Sequence, residues 1–185
     1  WNARGILQGQ KNSNLTPLGK KQALSAAKFL KDREDIILAR IYLSPLKRVI
    51  DFWSLIKNEL PEKIIQSVNI EPRIQELRFG DWEGRTKDEI EKKYPEQYDK
   101  RKKNIWAYKP KNGESLIELK ARIDKFLGDI DLNETNIIVT HEMASKVLRL
   151  KLLNLDSESI NKLEHKNNVI YIVNEKTSTE VLIST

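Results

Sequence analysis

The sequence has no cysteine among its 185 residues, only seven glycines, six prolines and one methionine, and no long apolar run. The absence of cysteine excludes disulfide bonds, thiolate nucleophiles and cysteine metal sites, and it fits a cytoplasmic protein. The scarcity of glycine and proline argues against long disordered stretches. Because no apolar run approaches the roughly 18 residues that cross a bilayer, we expect no membrane partner.

Positive charge is in excess, with 33 lysines and arginines against 27 aspartates and glutamates and a net charge of +6. Such a balance suits anionic partners, either phosphorylated metabolites or nucleic acid, although a lysine-rich composition explains it equally well. The single dense basic run, 100–103, is predicted to be a solvated helix face. Few aromatic rings lie near it for stacking on bases, so we expect no nucleic-acid partner.

Strand-like and helix-like segments alternate along the chain. Apolar segments predict strands at 39–44, 64–70, 136–140, 169–173 and 180–183. Helix starts are indicated by Thr16 before Pro17, by Pro45, by the capping-box pairs Thr86/Glu89 and Ser115/Glu118, and by Glu142. The alternation predicts one domain, residues 1–185, with a three-layer α/β/α sandwich and a mostly parallel sheet.

His141 directly follows the apolar segment 136–140 and precedes a helix-like segment, 142–153. In an open α/β sheet, ligands and catalytic groups collect at the carboxyl ends of the strands, which is where His141 is expected. Taken alone, a histidine in this position is more readily explained as a buried structural residue. Three further segments favour a chemical role.

These segments are 1–9 with 14–23, 43–48, and 76–86 with 113–115. Together with Val139-Thr140-His141, in this order and spacing, they resemble the histidine phosphatase superfamily, the phosphoglycerate mutase-like proteins. The resemblance spans roughly the whole chain, and the ordered set is specific although each motif alone is weak. It implies an enzyme of the phosphoglycerate mutase-like fold that acts on a small phosphorylated metabolite through a phosphohistidine intermediate.

By this resemblance, Glu76 corresponds to the proton donor for the departing alcohol. His141 corresponds to a second histidine, which contacts the phosphoryl group and stabilises the charge of the transition state. Asn2, Gln8 and Gly9 match a loop that closes over the phosphate with side-chain and backbone donors. An ordinary turn is the alternative interpretation of these three residues.

For Arg48 and Glu76, the residues themselves also indicate a role: Arg48 is a candidate for binding phosphate, and Glu76 for donating a proton. Arg48 lies one turn into a helix predicted to start at Pro45, so its guanidinium and the helix N-terminus can face the same anion. A planar guanidinium also holds two phosphate oxygens at once. Glu76 precedes an apolar-rich segment, and burial there would raise its pKa toward neutrality. Glu83 is the rival acid, and we expect it to have a structural role.

The chain departs from the family pattern in three places. The Arg-His-Gly that carries the phosphorylated histidine in the family lies just before the Trp-Asn pair, and this chain begins at Trp1. We therefore expect an upstream strand that ends in Arg-His-Gly, and poor stability without it. Glu142 stands where the family usually has glycine, and Ile6 where it usually has arginine. These departures leave open a non-catalytic, truncated phosphate-binding homologue.

Glu76 and His141 are 65 positions apart. The glycolytic mutases carry a longer insertion in this interval, so the short interval favours a phosphomonoesterase, with a cofactor-dependent phosphoglycerate mutase as the alternative. A zinc site is a poor alternative, because His141-Glu142 would need a histidine at the position of Ser145. The chain also has no glycine-rich phosphate loop and no nucleotide fingerprint, and we expect no metal and no cofactor.

Overall fold

Helices and strands alternate along residues 1, 4–65, 67–174 and 177–183, which the computed structural model describes. The helices are α1 (Pro17–Lys31), α2 (Lys47–Lys57), α3 (Lys87–Lys93), α4 (Pro95–Lys103), α5 (Leu116–Asp129) and α6 (Glu142–Leu152). The strands are β1 (Arg40–Leu43), β2 (Val68–Ile70), β3 (Asn136–Val139), β4 (Val169–Asn174) and β5 (Thr177–Leu182). Within these ranges, no helix combines the length and the apolar character needed to cross a membrane.

The central sheet is parallel. Strand β1 lies between β2 and β3, and Ile41 is in register with Val68 on one side and with Ile137 on the other. Strands β4 and β5 form a separate antiparallel pair. The predicted α/β architecture with a mostly parallel sheet is therefore confirmed, with an antiparallel hairpin added at the C-terminal end.

The sheet separates two apolar cores. Successive side chains of a strand point to opposite faces, and β1 follows this rule. Tyr42 packs against Phe126 of α5, with ring centroids 5.2 Å apart, in the core that α5 and α6 cover. Ile41 and Leu43 belong to the opposite core, which α1 and α2 cover. Helices on both faces of the sheet make the three layers that the alternating pattern predicts.

Helix starts follow local capping chemistry at most of the predicted positions. The Thr16 hydroxyl accepts a hydrogen bond from the backbone of Gly19, and Pro17 opens α1. Both predicted capping boxes are formed, at the starts of α3 and α5. The exception is α2, which begins at Lys47 and not at Pro45, because Leu46 is still in an extended conformation.

The predicted strand 64–70 is also shorter in the structure. Glu62–Ile64 is a 3₁₀ turn, and only Val68–Ile70 pairs with β1. Ile64 is buried in the core beneath α1 and α2, so the apolar run reflects packing of a turn as well as a strand. Short apolar runs do not distinguish these two cases by periodicity.

A deep cleft runs along β3 and β4. Within the described part of the chain, β3 pairs only with β1, and β4 pairs only with β5. Residues of both strands, among them Ile137, Val139, Ile170 and Ile172, line one cavity of about 1730 Å³. The same cavity extends past the carboxyl end of β3 to His141.

Candidate active site

Two neighbouring parallel strands deliver buried polar side chains to the same edge of the sheet. Ser44 follows β1 and His141 follows β3, and both are buried. The His141 Nε2 atom lies 2.7 Å from the Ser44 hydroxyl oxygen. This pair occupies the carboxyl edge of the sheet, where ligands bind in open α/β folds.

Arg48 joins the pair from the first turn of α2. Its Nε donates to His141 Nδ1 over 3.1 Å. Its Nη2 donates to the carbonyl of Gly9 over 2.8 Å, and its Nη1 donates to the carbonyl of Lys11 over 2.9 Å. One guanidinium therefore holds the loop around Gly9 against the end of β3.

These contacts define the protonation state of His141. A guanidinium has only donors, so His141 Nδ1 must accept, and the ring proton sits on Nε2, which donates to Ser44. Burial, followed by the positive charge of Arg48, lowers the pKa of His141 well below its usual value. The imidazole is therefore neutral near pH 7.

Glu76 lies at the N-terminus of α6, with its carboxylate buried. Its Oε1 accepts from the backbone N–H groups of Leu77 at 2.8 Å, Met143 at 3.1 Å and Ala144 at 3.3 Å. Burial raises the pKa of Glu76, whereas these donors and the charge of Arg48 oppose the increase. Burial is the larger effect, so the carboxyl keeps its proton closer to neutrality than an exposed glutamate does.

The segment that carries Glu76 is held by residues to which the sequence analysis assigned no role. Arg122 of α5 donates Nη2 to the Glu76 carbonyl over 3.1 Å and forms an ion pair with Glu114 at 2.7 Å. The Thr140 hydroxyl donates to the carbonyl of Ile74 over 2.6 Å. The motif 113–115, which contains Glu114, was the sequence feature that could have indicated this support. Its partner Arg122 lies outside the motif.

Glu83 holds the loop that faces Arg48. Its Oε1 accepts from the backbone N–H groups of Gln10 and Phe79, each over 3.0 Å. Gly9 has a φ of +53°, and a Cβ atom there would lie 2.0 Å from Glu83 Oε1. These contacts support the expected structural role of Glu83.

The resulting arrangement combines three chemical capacities in one cavity, which Arg48, Glu76 and His141 all line. Arg48 supplies positive charge, His141 supplies a neutral imidazole, and Glu76 supplies a carboxyl whose pKa is raised by burial. Cations and donors around an anion, with an acid nearby, are what phosphoryl transfer needs from a protein. Across the described ranges, His, Cys, Asp and Glu side chains form no group of three suited to holding a metal ion.

Residues 1–184 match the family model of the histidine phosphatase superfamily (branch 1). The chain belongs to this superfamily. Phosphoserine phosphatase 1 of Hydrogenobacter thermophilus is 31% identical over 195 residues, which cover 94% of this chain and 86% of the relative. A 2,3-bisphosphoglycerate-dependent phosphoglycerate mutase of Bartonella henselae is 29% identical, with 86% of this chain and 79% of the relative covered. The predicted enzyme family is confirmed, and both its phosphatases and its mutases are represented.

Solved structures agree with this histidine phosphatase fold. The α-ribazole phosphatase from Shigella flexneri superposes with a TM-score of 0.78 at 24% identity, covering 100% of this chain and 90% of that one. At this identity the similarity shows the fold alone. A mycobacterial glucosyl-3-phosphoglycerate phosphatase has a TM-score of 0.69 at 27% identity, covering 89% of this chain and 79% of that one.

Most of the predicted site residues of this histidine phosphatase lie together. Arg48 contacts both His141 and Gly9, and Glu76 contacts the backbone of Met143 and Ala144, just after His141. Gln8 lines the same cavity, with its amide donating to the Ser13 hydroxyl over 2.7 Å. Asn2 lies outside the described residues.

The structure shows the contacts of two residues that depart from the family pattern. The Glu142 carboxylate is exposed and pairs with Lys146 at 3.0 Å, so it is engaged on the surface of α6. Ile6 forms a β-bridge with Thr86 and therefore joins the N-terminal loop to the start of α3. His165, which matches no family motif, stacks on Tyr171 with ring centroids 5.7 Å apart.

Proposed function

We propose that this protein is a phosphomonoesterase that hydrolyses a small phosphorylated metabolite through a phosphohistidine intermediate. The observation that supports it best is the cluster at the carboxyl edge of the sheet, where the half-buried Arg48 contacts the buried His141 and the buried Glu76 lines the same cavity. Membership of the histidine phosphatase superfamily supports a phosphoryl-transfer role for that cluster. The phosphatases among the relatives support the same reaction class.

In this proposal, Arg48 and His141 bind the phosphoryl group, together with Gln8, the Gly9 loop and Asn2. Formation of the intermediate breaks the bond between phosphorus and the alcohol oxygen and forms a bond from phosphorus to a histidine nitrogen. Glu76 gives its proton to the departing alcohol. Water then attacks the phosphohistidine, Glu76 takes a proton from that water, and inorganic phosphate leaves.

The nucleophile requires a histidine other than the two in this sequence. His141 is held between Arg48 and Ser44, and His165 stacks on Tyr171. We propose that a strand encoded upstream of Trp1 ends in Arg-His-Gly and supplies it. The single domain then comprises residues 1–185 together with this strand.

The cleft between β3 and β4 suits such a strand. Apolar side chains of both strands line it, and each strand is paired on one side only within the described residues. Unpaired backbone groups are costly where water is excluded, and apolar faces are costly where they are exposed to water. A strand parallel to β3 would end at the same edge as β3 and so place its last residues beside His141.

Hydrolysis is favoured over the mutase reaction by the short segment between Thr86 and Gly113. Transfer to a second acceptor needs a site that holds the acceptor and excludes water. Here that segment forms two short helices, α3 with 7 residues and α4 with 9. The mutases among the relatives make the mutase reaction the alternative. A cytoplasmic location stays a prediction from the absence of cysteine.

The deciding experiment incubates the protein, expressed from its complete reading frame, with small phosphomonoesters. We expect release of inorganic phosphate without added metal or bisphosphoglycerate. Quenching the reaction on a ³²P-labelled substrate should trap an acid-labile, base-stable protein adduct. Interconversion of 2- and 3-phosphoglycerate with little phosphate release would establish the mutase alternative. Phosphate binding without turnover would establish a non-catalytic homologue, as would a locus that encodes no upstream Arg-His-Gly.

A further inference from the structure

The imidazole ring of His141 is held from two sides. Its Nδ1 accepts from Arg48 Nε over 3.1 Å, and its Nε2 lies 2.7 Å from the Ser44 hydroxyl oxygen. Ser44 is fully buried, and its Oγ also accepts from the backbone N–H of Leu46 over 3.4 Å. The proposed reaction gives Ser44 no task, although it is the residue that contacts the protonated nitrogen of the ring.

In this tautomer His141 presents the wrong atom to an anion. The ring proton is on Nε2, which faces Ser44, whereas Nδ1, which faces Arg48, carries a lone pair. Arg48 and His141 line the same cavity. A phosphoryl oxygen that takes over the Arg48 Nε–H donor would meet the lone pair of Nδ1, and two acceptors repel each other. His141 therefore holds a phosphoryl group only when Nδ1 carries a proton.

A proton can reach Nδ1 in two ways. The ring can take a second proton and become an imidazolium, or it can lose the proton on Nε2 while it gains one on Nδ1. Burial, followed by the charge of Arg48, lowers the pKa of His141 and so opposes the imidazolium. The second way keeps the ring neutral, but it leaves a buried lone pair on Nε2 that needs a donor.

The Ser44 hydroxyl meets this need, because a hydroxyl can both donate and accept. Rotation about its Cβ–Oγ bond turns the hydroxyl proton toward Nε2, and the oxygen does not have to move from its position at 2.7 Å. The Leu46 N–H donates to the same oxygen and holds it in place in either orientation. A methyl or a carbonyl group at this position could not serve both tautomers.

We infer that Ser44 is a positioning residue that allows His141 to change tautomer when the phosphoryl group binds. In the free protein, Nε2–H donates to Ser44. In the complex, the Ser44 hydroxyl donates to Nε2, and Nδ1–H donates to a phosphoryl oxygen. One proton leaves Nε2 for water and one reaches Nδ1 from water, so the charge of the ring does not change. This inference rests on the proposed function, in which His141 binds the phosphoryl group.

NMR spectroscopy of the complete protein with ¹⁵N-labelled histidine tests the inference, because a ring nitrogen that carries a proton and one that carries a lone pair differ widely in chemical shift. At pH 7 without ligand, we expect the proton of His141 on Nε2 and the lone pair on Nδ1. Saturation with inorganic phosphate should exchange the two. His165→Gln removes the signals of the other histidine in this sequence, and replacement of the proposed upstream histidine completes the assignment.

Variants of Ser44 test the contact itself. Ser44→Ala should weaken phosphate binding about tenfold, because Nε2 then has no donor when Nδ1 is protonated. Ser44→Thr should restore part of the affinity, since it keeps the hydroxyl. Ser145→Ala is the matched control, because it removes a buried hydroxyl one helical turn beyond His141. This control should change neither the phosphate affinity nor the tautomer.

The outcomes separate this inference from the proposed function. A complete protein that binds no phosphate would contradict the proposed function itself. Phosphate binding with the proton still on Nε2, or with protons on both ring nitrogens, would overturn the role of Ser44. Equal phosphate affinities of Ser44→Ala and the parent would also overturn it. The NMR comparison uses the parent side chain at position 44, so it gives a result even where Ser44→Ala does not fold.

Discussion

Burial and hydrogen bonding act on Glu76 in opposite directions. Three backbone donors and the N-terminus of α6 favour its charged form, and burial favours its neutral form. A carboxyl balanced in this way can release a proton to a leaving group and recover it from water.

Glu76→Gln should slow phosphate release from an alkyl phosphate much more than release from p-nitrophenyl phosphate. An alkoxide needs a proton as it leaves, whereas nitrophenolate does not, and general acid catalysis contributes about 10²- to 10⁴-fold. Steady-state kcat and burst kinetics on the two substrates measure the difference. Equal losses on both would remove Glu76 from the role of acid.

The same substitution should change how stability depends on pH. The pKa of Glu76 is raised in the folded protein. At pH values between its unfolded pKa, about 4.3, and its folded pKa, folding therefore takes up a proton. The stability from this proton is complete below the unfolded pKa and is lost as pH rises through the folded pKa. Glu76→Gln does not titrate, so its free energy of unfolding relative to the parent should increase with pH above about 4. Urea denaturation at several pH values measures it.

Glu96→Gln, at an exposed position on α4, is the control for removing a surface carboxylate. A Glu76→Gln difference that is constant with pH, or that decreases as pH rises, would contradict the opposing effects assigned to Glu76.

Arg48→Ala should weaken inhibition by vanadate and by phosphate about 10- to 100-fold, the range expected for losing a charged bidentate contact. Lys47→Ala is the matched control, because Lys47 is the neighbouring cation on α2 and pairs at the surface with Asp51. Inhibition constants for both variants can be measured with p-nitrophenyl phosphate. Unchanged vanadate inhibition in Arg48→Ala would show that the anion binds elsewhere.

At the scale of elements, the loop before α1 depends on glycine for a close approach. Gly9 and Gly5 both have positive φ, at +53° and +64°, but only Gly9 faces a side chain, that of Glu83. Both substitutions by alanine carry the backbone cost of this region, about 1–2 kcal/mol. Gly9→Ala also displaces Glu83, so its free energy of unfolding and its affinity for phosphate should fall further than those of Gly5→Ala.

Denaturation curves and phosphate titration of the two glycine variants test this prediction. Equal effects of the two substitutions would mean that Glu83 moves aside without cost, and the loop would not need the contact.

At the scale of the whole molecule, the parallel sheet and the hairpin meet at a cleft lined by both. Apolar residues of β3 and β4 pack against the same core, which α1 and α2 cover. A strand bound between them would complete their hydrogen bonding and close the apolar cleft.

Amide hydrogen exchange should therefore be slower in β3 and β4 of the complete protein than in a chain that begins at Trp1. Amides that are already paired between β1 and β2 provide the internal comparison. The shorter chain should also unfold at a lower denaturant concentration. Equal protection of β3 and β4 in the two proteins would place the upstream segment outside the cleft.

Local patterns determined a large part of this fold. The caps of α1, α3 and α5 involve residues three positions apart, and all three formed as predicted. The superfamily and the three-layer architecture are also confirmed. Both could be predicted because the order of the motifs and the alternation of strands and helices can be read from a single sequence. The predicted start of α2 was wrong, because Leu46 is still extended in the turn before the helix. The predicted length of β2 was wrong, because Ile64 is buried as part of a turn.

The sequence by itself determined which residues could carry phosphoryl chemistry, because guanidinium, imidazole and carboxyl groups have fixed chemical properties. Only the tertiary structure decided how they act. The contact between Arg48 and His141 joins residues 93 positions apart, and that between Glu76 and Met143 joins residues 67 apart. In the basic run 100–103, Arg101 is half-buried and lies over the Phe79 ring, contrary to the prediction of a solvated face. The protonation of His141 and Glu76 and the inward position of Arg101 follow from burial, which depends on how distant elements pack together.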